Sequence, residues 1–195
     1  MTKHNSEKER CAWCLSDPLY IKYHDTEWGV PVRKDKKQFE FLVLESAQAG
    51  LSWLTILKKR EGYRKAFVDF DVEKIARFSK KKTESLMNFS GIIRNRLKIE
   101  STVSNAQHFI EIQEEFGSFT KYIWDFVDGE PKVNKRKGLK EITPTSKESD
   151  LLSKDMKRRG FKFLGSTILY AHMQATGLVN DHLMNCHRYK AITTK

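Results

Sequence analysis

The stretch Phe39-Glu-Phe-Leu-Val-Leu-Glu45-Ser-Ala-Gln-Ala-Gly50-Leu-Ser-Trp53 predicts a buried helix that carries an acid. The helix should run from Phe39 to Ala49, because this segment lacks proline and Gly50 follows in the position of a left-handed C-terminal residue. Its apolar side chains point almost all the way round the axis, which indicates a helix enclosed by others. Glu45 lies inside that pattern, where a carboxylate is costly unless it is neutral, paired or hydrogen-bonded. Two interpretations stay open: Glu45 pairs with an arginine or caps a backbone, or it is a pocket acid that contacts a ligand.

The chain has 195 residues, enough for one compact domain with a substantial core. Its 36 Lys and Arg against 25 Asp and Glu give a net charge of +11, which favours nucleic acid as a partner, with an anionic membrane surface as the second candidate. No apolar run reaches the length of a membrane span, and Met1 to Arg10 is too polar for a signal peptide, so we expect a cytoplasmic protein. Three cysteines without a secretion signal argue against a disulfide framework and leave metal binding or free thiols.

Helical patterns dominate the chain, and the predicted class is all-α. Ser52 should cap a helix from Trp53 to about Phe67, with Lys58-Lys59-Arg60 on a solvated face. Further helices are predicted over residues 71–78, 81–88, 109–126, 151–159 and 167–176. The segment from Cys11 to Val30 is predicted to be irregular instead, and its many aromatic rings either pack over the core or line a pocket.

Three segments are expected to lie outside regular structure. Residues 1–10 and 188–195 are predicted tails, which leaves 11–187 as a single domain. The segment from Asp128 to Asp150 is rich in lysine, contains two prolines and has no clear period. We expect it to be a mobile loop whose cations are solvated.

The segment Ser85 to Ala106 predicts two helices joined by a short hairpin around Gly91. Glycine permits close approach of the backbone to a partner, and the amides at the start of the next helix can hold a phosphate. Arg94, Arg96 and Lys98 add positive charge at this point. The alternative is an ordinary connection between helices in an all-α protein.

Cysteine and histidine residues at the two ends of the chain suggest a metal site. His182 and Cys186 are four residues apart, and Cys11, Cys14, His24 and His187 are further candidates for a four-ligand zinc site. Ligand spacing alone favours the pair Cys11-x-x-Cys14, and unliganded thiols and loop histidines remain the alternative. A closed site of this kind would be structural, and would join the two ends of the chain.

With these residues in view, the sequence resembles the DNA-3-methyladenine glycosylase I family of the helix-hairpin-helix glycosylase superfamily. The resemblance extends over nearly all of the chain from Cys11 to Cys186. Its most specific stretches are Asp17-Pro18-Leu19-Tyr20, Tyr23-His24-Asp25, Glu27-Trp28-Gly29-Val30, Ala49-Gly50-Leu51-Ser52-Trp53, Leu57-Lys58-Lys59-Arg60, Arg159-Gly160-Phe161-Lys162-Phe163 and Gly177-Leu178-Val179-Asn180-Asp181-His182.

The resemblance implies an all-α, helix-hairpin-helix glycosylase fold, with the hairpin element over residues 84–106. It also implies one structural zinc ion in a subdomain formed by residues 11–35 and 165–187. The implied ligands are Cys11, His24, His182 and Cys186, which replaces Cys14 by His24 in the set that spacing favours. The family's activity would be to flip 3-methyladenine out of alkylated double-stranded DNA and remove it by hydrolysis, without a lyase step, as a monomer in the bacterial cytoplasm near the nucleoid.

The resemblance also assigns roles to single residues. Glu45 matches the catalytic acid that bonds the adenine edge. The matching substrate-binding aromatic residues are Trp13, Tyr23 and Trp53, with Tyr20 and Trp28 beside them. The DNA-binding positions are Gly50 and Leu51, in the turn that approaches the gap left by a flipped nucleotide, and Gly91, Arg94 and Arg96 at the hairpin. The aspartate that many relatives in the superfamily use after the hairpin helix has no clear counterpart in this chain.

Two other functions fit parts of the pattern. A non-enzymatic, zinc-containing nucleic-acid-binding module would also be basic and aromatic, but stacking on bases does not require a buried Glu45. A zinc nucleobase deaminase would need His-x-Glu followed by Pro-Cys-x-x-Cys. Here Cys11-Ala-Trp-Cys14 precedes His24, no proline precedes Cys11, and Glu27 lies one residue too far from His24.

Overall fold

The structure is a computed structural model, and it describes residues 8–193. The described residues form ten α-helices and one pair of very short strands. The helices are α1 Pro18–Thr26, α2 Asp35–Gln48, α3 Trp53–Ala66, α4 Val72–Ala76, α5 Lys80–Leu86, α6 Arg96–Phe116, α7 Phe119–Asp125, α8 Lys147–Arg158, α9 Ser166–Ala175 and α10 His187–Thr193. The strands β1 Lys132–Val133 and β2 Val179–Asn180 pair in parallel, with Lys132 opposite Val179. The prediction of an all-α class is confirmed, and none of the described helices combines the length and apolar character that crossing a bilayer requires.

Helix α2 lies at the centre of the molecule and packs against α3, α6, α7 and α9. Every residue from Gln38 to Ala47 is buried, as the apolar pattern predicted. The helix begins at Asp35, one turn before Phe39, and the Asp35 carboxylate accepts hydrogen bonds from the backbone of Phe119 and Thr120, which joins α2 to the start of α7. At the other end, Gly50 takes a positive φ of 81° and turns the chain towards α3. Ser52 caps α3 as predicted, with its hydroxyl accepting a hydrogen bond from the Thr55 amide.

The prediction that Cys11 to Val30 is irregular is wrong. Helix α1 occupies the middle of this segment, with Asp17 as its side-chain cap and Pro18 at the first turn. An aspartate followed by proline is a common helix start, since proline at the first position loses no hydrogen bond. The aromatic residues of the segment are therefore held on a helix and on a short 3-10 turn, Ala12–Cys14.

Arg60 does not lie on a solvated face, contrary to prediction. Its side chain is 12 % exposed, and its guanidinium donates two hydrogen bonds to Glu27 and one to Glu40, at 2.7–2.8 Å. The apolar period of α3 predicts that Arg60 is buried, because Arg60 follows Ile56 and Leu57 at helical spacing. This ion-pair network fastens the end of α1 to α2 and α3.

The segment from Asp128 to Asp150 is more ordered than its composition predicted. Strand β1 pairs with β2, a short 3-10 turn follows at Leu139–Glu141, and α8 begins at Lys147 behind a Ser146 capping box. Side chains of Asn134 and Arg136 in this segment reach the buried Asp181.

Both predicted tails are partly ordered. Arg10 pairs with Asp25 at 2.9 Å, and the Glu9 carbonyl accepts a hydrogen bond from the His187 amide. The segment after residue 187 forms α10 as far as Thr193, because Ile192 is buried against the core. Residues 1–7 and 194–195 of the predicted tails lie outside the described residues.

Helices α5 and α6 are joined by a turn at the predicted hairpin, and α6 starts at Arg96 with Asn95 as its cap. The close approach expected of Gly91 occurs within the molecule. A Cβ atom on Gly62 of α3 would lie 2.0 Å from the Gly91 carbonyl oxygen, and one on Gly91 would lie 2.5 Å from the Phe89 ring. Glycine at both positions therefore lets the hairpin turn pack directly on α3.

Candidate active site and metal centre

One cavity of about 250 Å³ contains all six residues assigned to base binding. Its lining residues come from α1 and the turn before it, from α2 and α3, from the segment before α8, and from α9. The lining residues are Trp13, Tyr20, Tyr23, Trp28, Glu45, Gln48, Trp53, Ile142, Ala171 and Gln174. Gln48, Ile142, Ala171 and Gln174 were not predicted from the sequence.

Glu45 is the acid of this cavity, and it is 2 % exposed. Its Oε2 atom has no hydrogen-bond partner, and Glu45 makes no ion pair within residues 8–193. Burial raises the pKa of the Glu45 carboxyl from 4.5 to about 8. The interpretation in which Glu45 is a structural partner of an arginine is therefore wrong, since Arg60 pairs with Glu27 and Glu40 instead.

The aromatic rings of the cavity form two contacting groups. Trp13 packs against Tyr20 and Trp28, with ring centroids 4.8 and 4.9 Å apart. Tyr23 packs against Trp53 at 5.5 Å, and Trp53 is stacked on Phe41 of α2 at 6.5 Å. Burial raises the pKa of Tyr23 well above its ordinary value, so its hydroxyl stays protonated and can act as a hydrogen-bond donor. The cavity thus offers flat, electron-rich surfaces around one carboxyl group.

A second cluster lies next to these rings. Cys11, His24, His182 and Cys186 are all buried, and their ligand atoms lie within 4.8 Å of one another. The Cys186 Sγ atom is 3.4 Å from His24 Nε2 and 3.5 Å from His182 Nδ1, and Cys11 Sγ is 3.8 Å from His182 Nδ1. Ligands of a tetrahedral zinc ion are separated by roughly 3.3–3.8 Å, given bond lengths of about 2.0 Å to nitrogen and 2.3 Å to sulfur. The donor set and its spacing therefore fit a metal ion of this kind.

The surroundings of the four residues support the same assignment. His24 Nδ1 is 2.8 Å from the Asp25 carboxylate, and His182 Nε2 is 3.1 Å from the Trp28 carbonyl oxygen, so the other nitrogen of each ring faces the cluster. Orientation of ligand histidines by a carboxylate or a carbonyl is usual in metal sites. Backbone amides of Leu183 and Arg188 donate to the two sulfur atoms. Cys14 and His187 stand outside the cluster: the Cys14 thiol donates to the Cys11 carbonyl, and His187 Nδ1 bonds the Glu9 carbonyl.

The cluster and the cavity share a wall. Trp28 lines the cavity while its backbone carbonyl orients His182, and its ring lies 4.5 Å from the His182 ring. Trp13, two residues after Cys11, contacts the His24 ring at 5.3 Å. The position of two cavity rings therefore depends on the order of the cluster.

Of the five residues assigned to DNA binding, four are exposed and Gly91 is partly buried. A Cβ atom on Gly50 would meet nothing within 4 Å, and Leu51 is 41 % exposed. Arg94 is exposed, and Arg96 is exposed with only a long contact of 3.8 Å to Glu100. Lys98, by contrast, points inwards and donates to the carbonyl oxygens of Ala47 and Ala49 at the end of α2.

Fold and site together define an all-α protein with an aromatic pocket that is built around one buried carboxyl group and suited to a planar heteroaromatic ring. A sequence model of the methyladenine glycosylase family matches residues 13–189. The chain belongs to that family.

Individual relatives agree with this assignment. The chain is 49 % identical over 181 residues to DNA-3-methyladenine glycosylase 1 of Escherichia coli K12, with 93 % of this chain and 97 % of that protein covered. It is 45 % identical over 177 residues to the DNA-3-methyladenine glycosylase of Haemophilus influenzae, which covers 91 % and 96 % of the two chains. A solved structure of a variant of 3-methyladenine DNA glycosylase I in complex with 3-methyladenine superposes with a TM-score of 0.90 at 40 % identity, and covers 92 % of this chain and 97 % of that one.

Proposed function

We propose that this protein is a DNA glycosylase of base-excision repair that removes 3-methyladenine from alkylated DNA. Membership of the family and the names of its close relatives support this function. The observation that carries it in the chain itself is the buried, unpaired Glu45 in a cavity lined by five aromatic residues.

Selection of the damaged base follows from charge. Adenine methylated at N3 within DNA is cationic, and the faces of tryptophan and tyrosine attract cations. A cation in the cavity also stabilises the ionised form of Glu45, whose pKa in the empty pocket is about 8. The carboxylate then accepts a charge-assisted hydrogen bond from the amino edge of the base. Normal adenine is neutral and gains neither the cation–π attraction nor the charge-assisted hydrogen bond.

Cleavage needs little further chemistry, because the cationic base is already a good leaving group. The bond between C1′ of the sugar and N9 breaks, and its electron pair neutralises the departing base. Water adds to C1′, its proton goes to solvent, and an abasic site remains. No lysine in the described part of the chain lines the cavity, so we expect no Schiff base and no lyase step.

Reaching the base requires that its nucleotide rotate out of the duplex. Gly50 and Leu51 come two and three residues after Gln48, which ends α2 and lines the cavity, and we expect them to enter the gap left behind. Arg94 and Arg96, in the hairpin turn and at the start of α6, would contact backbone phosphates, with Gly91 bringing the turn close to α3. We further propose that the protein acts as a monomer on double-stranded DNA in the cytoplasm, close to the nucleoid.

The metal would be a single structural zinc ion held by Cys11, His24, His182 and Cys186. A closed set of four protein ligands leaves no position for an activated water. Its contribution is to join the two ends of the domain and to hold Trp13 and Trp28 in the cavity wall.

The test is the release of free bases from methylated duplex DNA, measured by chromatography. The wild-type protein should release 3-methyladenine. The Glu45→Gln variant should still bind the DNA but release 3-methyladenine far more slowly. Glu40→Gln is the matched control, because Glu40 is buried on the same helix but faces Arg60 outside the cavity. Binding without release by the wild-type protein would instead identify the nucleic-acid-binding module.

A further inference from the structure

Gln174 of α9 lines the cavity, and its amide has a fixed orientation. The Nε2 atom donates to the Asp181 carboxylate at 2.7 Å. Asp181 is 1 % exposed and also accepts hydrogen bonds from Tyr170 at 2.6 Å and Asn134 at 2.7 Å. A rotated amide would set its carbonyl oxygen against that buried carboxylate, with two acceptors in contact.

The side-chain oxygen Oε1 of Gln174 is therefore the atom left for the cavity. Within residues 8–193, Oε1 accepts no hydrogen bond. Gln48 lines the same cavity, but no hydrogen bond from the described residues holds its amide, so it can present either a donor or an acceptor. Of the two glutamines, only Gln174 is restricted to accepting.

We infer that Gln174 is a specificity-determining residue, which accepts a hydrogen bond from the exocyclic amino group of the bound base and so selects 6-amino purines over 6-oxo purines. This inference rests on the proposed function. The amino group of 3-methyladenine carries two N–H bonds, one for Glu45 and one for Gln174. A 6-oxo purine such as 3-methylguanine has an oxygen at that place and would meet an acceptor that cannot turn.

The physical basis is the cost of covering the Gln174 Oε1 acceptor with a base that offers it no donor. A site that hydrogen-bonds a substrate group rejects analogues without that group more strongly than a purely apolar pocket can. Removing the amide should therefore weaken binding of the 6-amino base and leave binding of the 6-oxo base unchanged or improved.

The test compares wild type, Gln174→Met and Tyr170→Phe. Methionine keeps the length of glutamine without its carbonyl. Phenylalanine removes another hydrogen bond to the same Asp181 without changing an atom of the cavity lining. The measurements are the affinities for free 3-methyladenine and free 3-methylguanine, from quenching of tryptophan fluorescence, together with thermal unfolding. Gln174→Leu is measured in parallel in case methionine does not pack.

In Gln174→Met, the preference for 3-methyladenine should fall about tenfold through weaker binding of that base. Tyr170→Phe should lower the melting temperature with the preference retained. An unchanged preference in both Gln174 variants, an equal loss of both affinities, or a wild type without preference would each overturn the inference. Failure of the wild type to release 3-methyladenine from alkylated DNA would overturn the proposed function, whereas release with an unchanged preference overturns only the role of Gln174.

Discussion

Substitution of Glu45 by glutamine should make the protein more stable and less active at the same time. The folded-state pKa of Glu45 is about 8, against an ordinary value of 4.5, and burial is the cause. A carboxyl group with a raised folded pKa stabilises the fold while it is protonated in both states. That stability is fully present below pH 4.5 and is lost as the pH rises towards 8, because the unfolded chain releases the proton first.

The size of the effect follows from the shift. One pKa unit corresponds to about 1.4 kcal/mol, so the wild-type protein should lose about 4 kcal/mol from this group by pH 8, and about 3 kcal/mol by pH 7. Glutamine has nearly the same shape and does not ionise. The free energy of unfolding of Glu45→Gln should therefore exceed that of wild type by a margin that grows with pH.

Urea unfolding of both proteins at pH 5, 7 and 8.5 measures this margin. Taking the difference at each pH cancels the contributions of the other titrating groups. Glu40→Gln should behave in the opposite way: although burial opposes it, hydrogen bonds from Arg60 lower the pKa of Glu40, so this control should be destabilised near neutral pH. A margin for Glu45→Gln that is constant between pH 5 and 8.5 would refute the placement of an unpaired acid in the cavity.

Three further substitutions test the metal, the DNA surface and the end of α2. Cys186→Ser should lower zinc content and melting temperature together, and full stability without zinc by elemental analysis would contradict a structural metal. Arg94→Ala should weaken binding to all DNA sequences alike and reduce the slope of log affinity against log salt concentration by about one. The control Arg158→Ala, at an exposed position on α8, should change neither quantity. A loss of affinity confined to some sequences would exclude a phosphate contact. Lys98→Met should cost about 1–3 kcal/mol in urea unfolding, since it leaves the carbonyl oxygens of Ala47 and Ala49 without their donor, and an unchanged midpoint would show that water replaces it.

The central helix could be predicted from sequence because its signal is local. An apolar period that surrounds Glu45 requires burial on every side, and Gly50 and Ser52 mark the boundaries of the adjoining helices. The spacing of the buried residues of α3 also predicts burial of Arg60, but the neighbouring Lys58 and Lys59 led to the prediction of a solvated face. For α1, the pair Asp17-Pro18 was a sufficient start signal that the surrounding aromatic residues obscured.

The four residues of the proposed metal site could not be selected from spacing. Cys11 and Cys14 are closest in sequence, but the 3-10 turn between them directs the Cys14 thiol to the Cys11 carbonyl. His24 takes the place of Cys14 in the cluster because it lies on α1 beside Cys186. These two residues are 162 positions apart in the sequence. Only the resemblance to a family supplied that pairing, because local periodicity carries no information about which distant segments meet.

Contacts between distant segments also determine the shape of the cavity, and local sequence patterns do not predict them. Its walls come from segments that are remote in sequence, and each wall is fixed by a contact outside the cavity: Arg60 with Glu27 beside Trp28, His182 with the Trp28 carbonyl, and Asp181 with Gln174. A cationic purine gains from stacking and from Glu45 only if these walls keep their spacing when the pocket is empty. Loss of Arg60, His182 or Asp181 should therefore affect base selection although none of them lines the cavity, and local sequence patterns do not identify these long-range contacts.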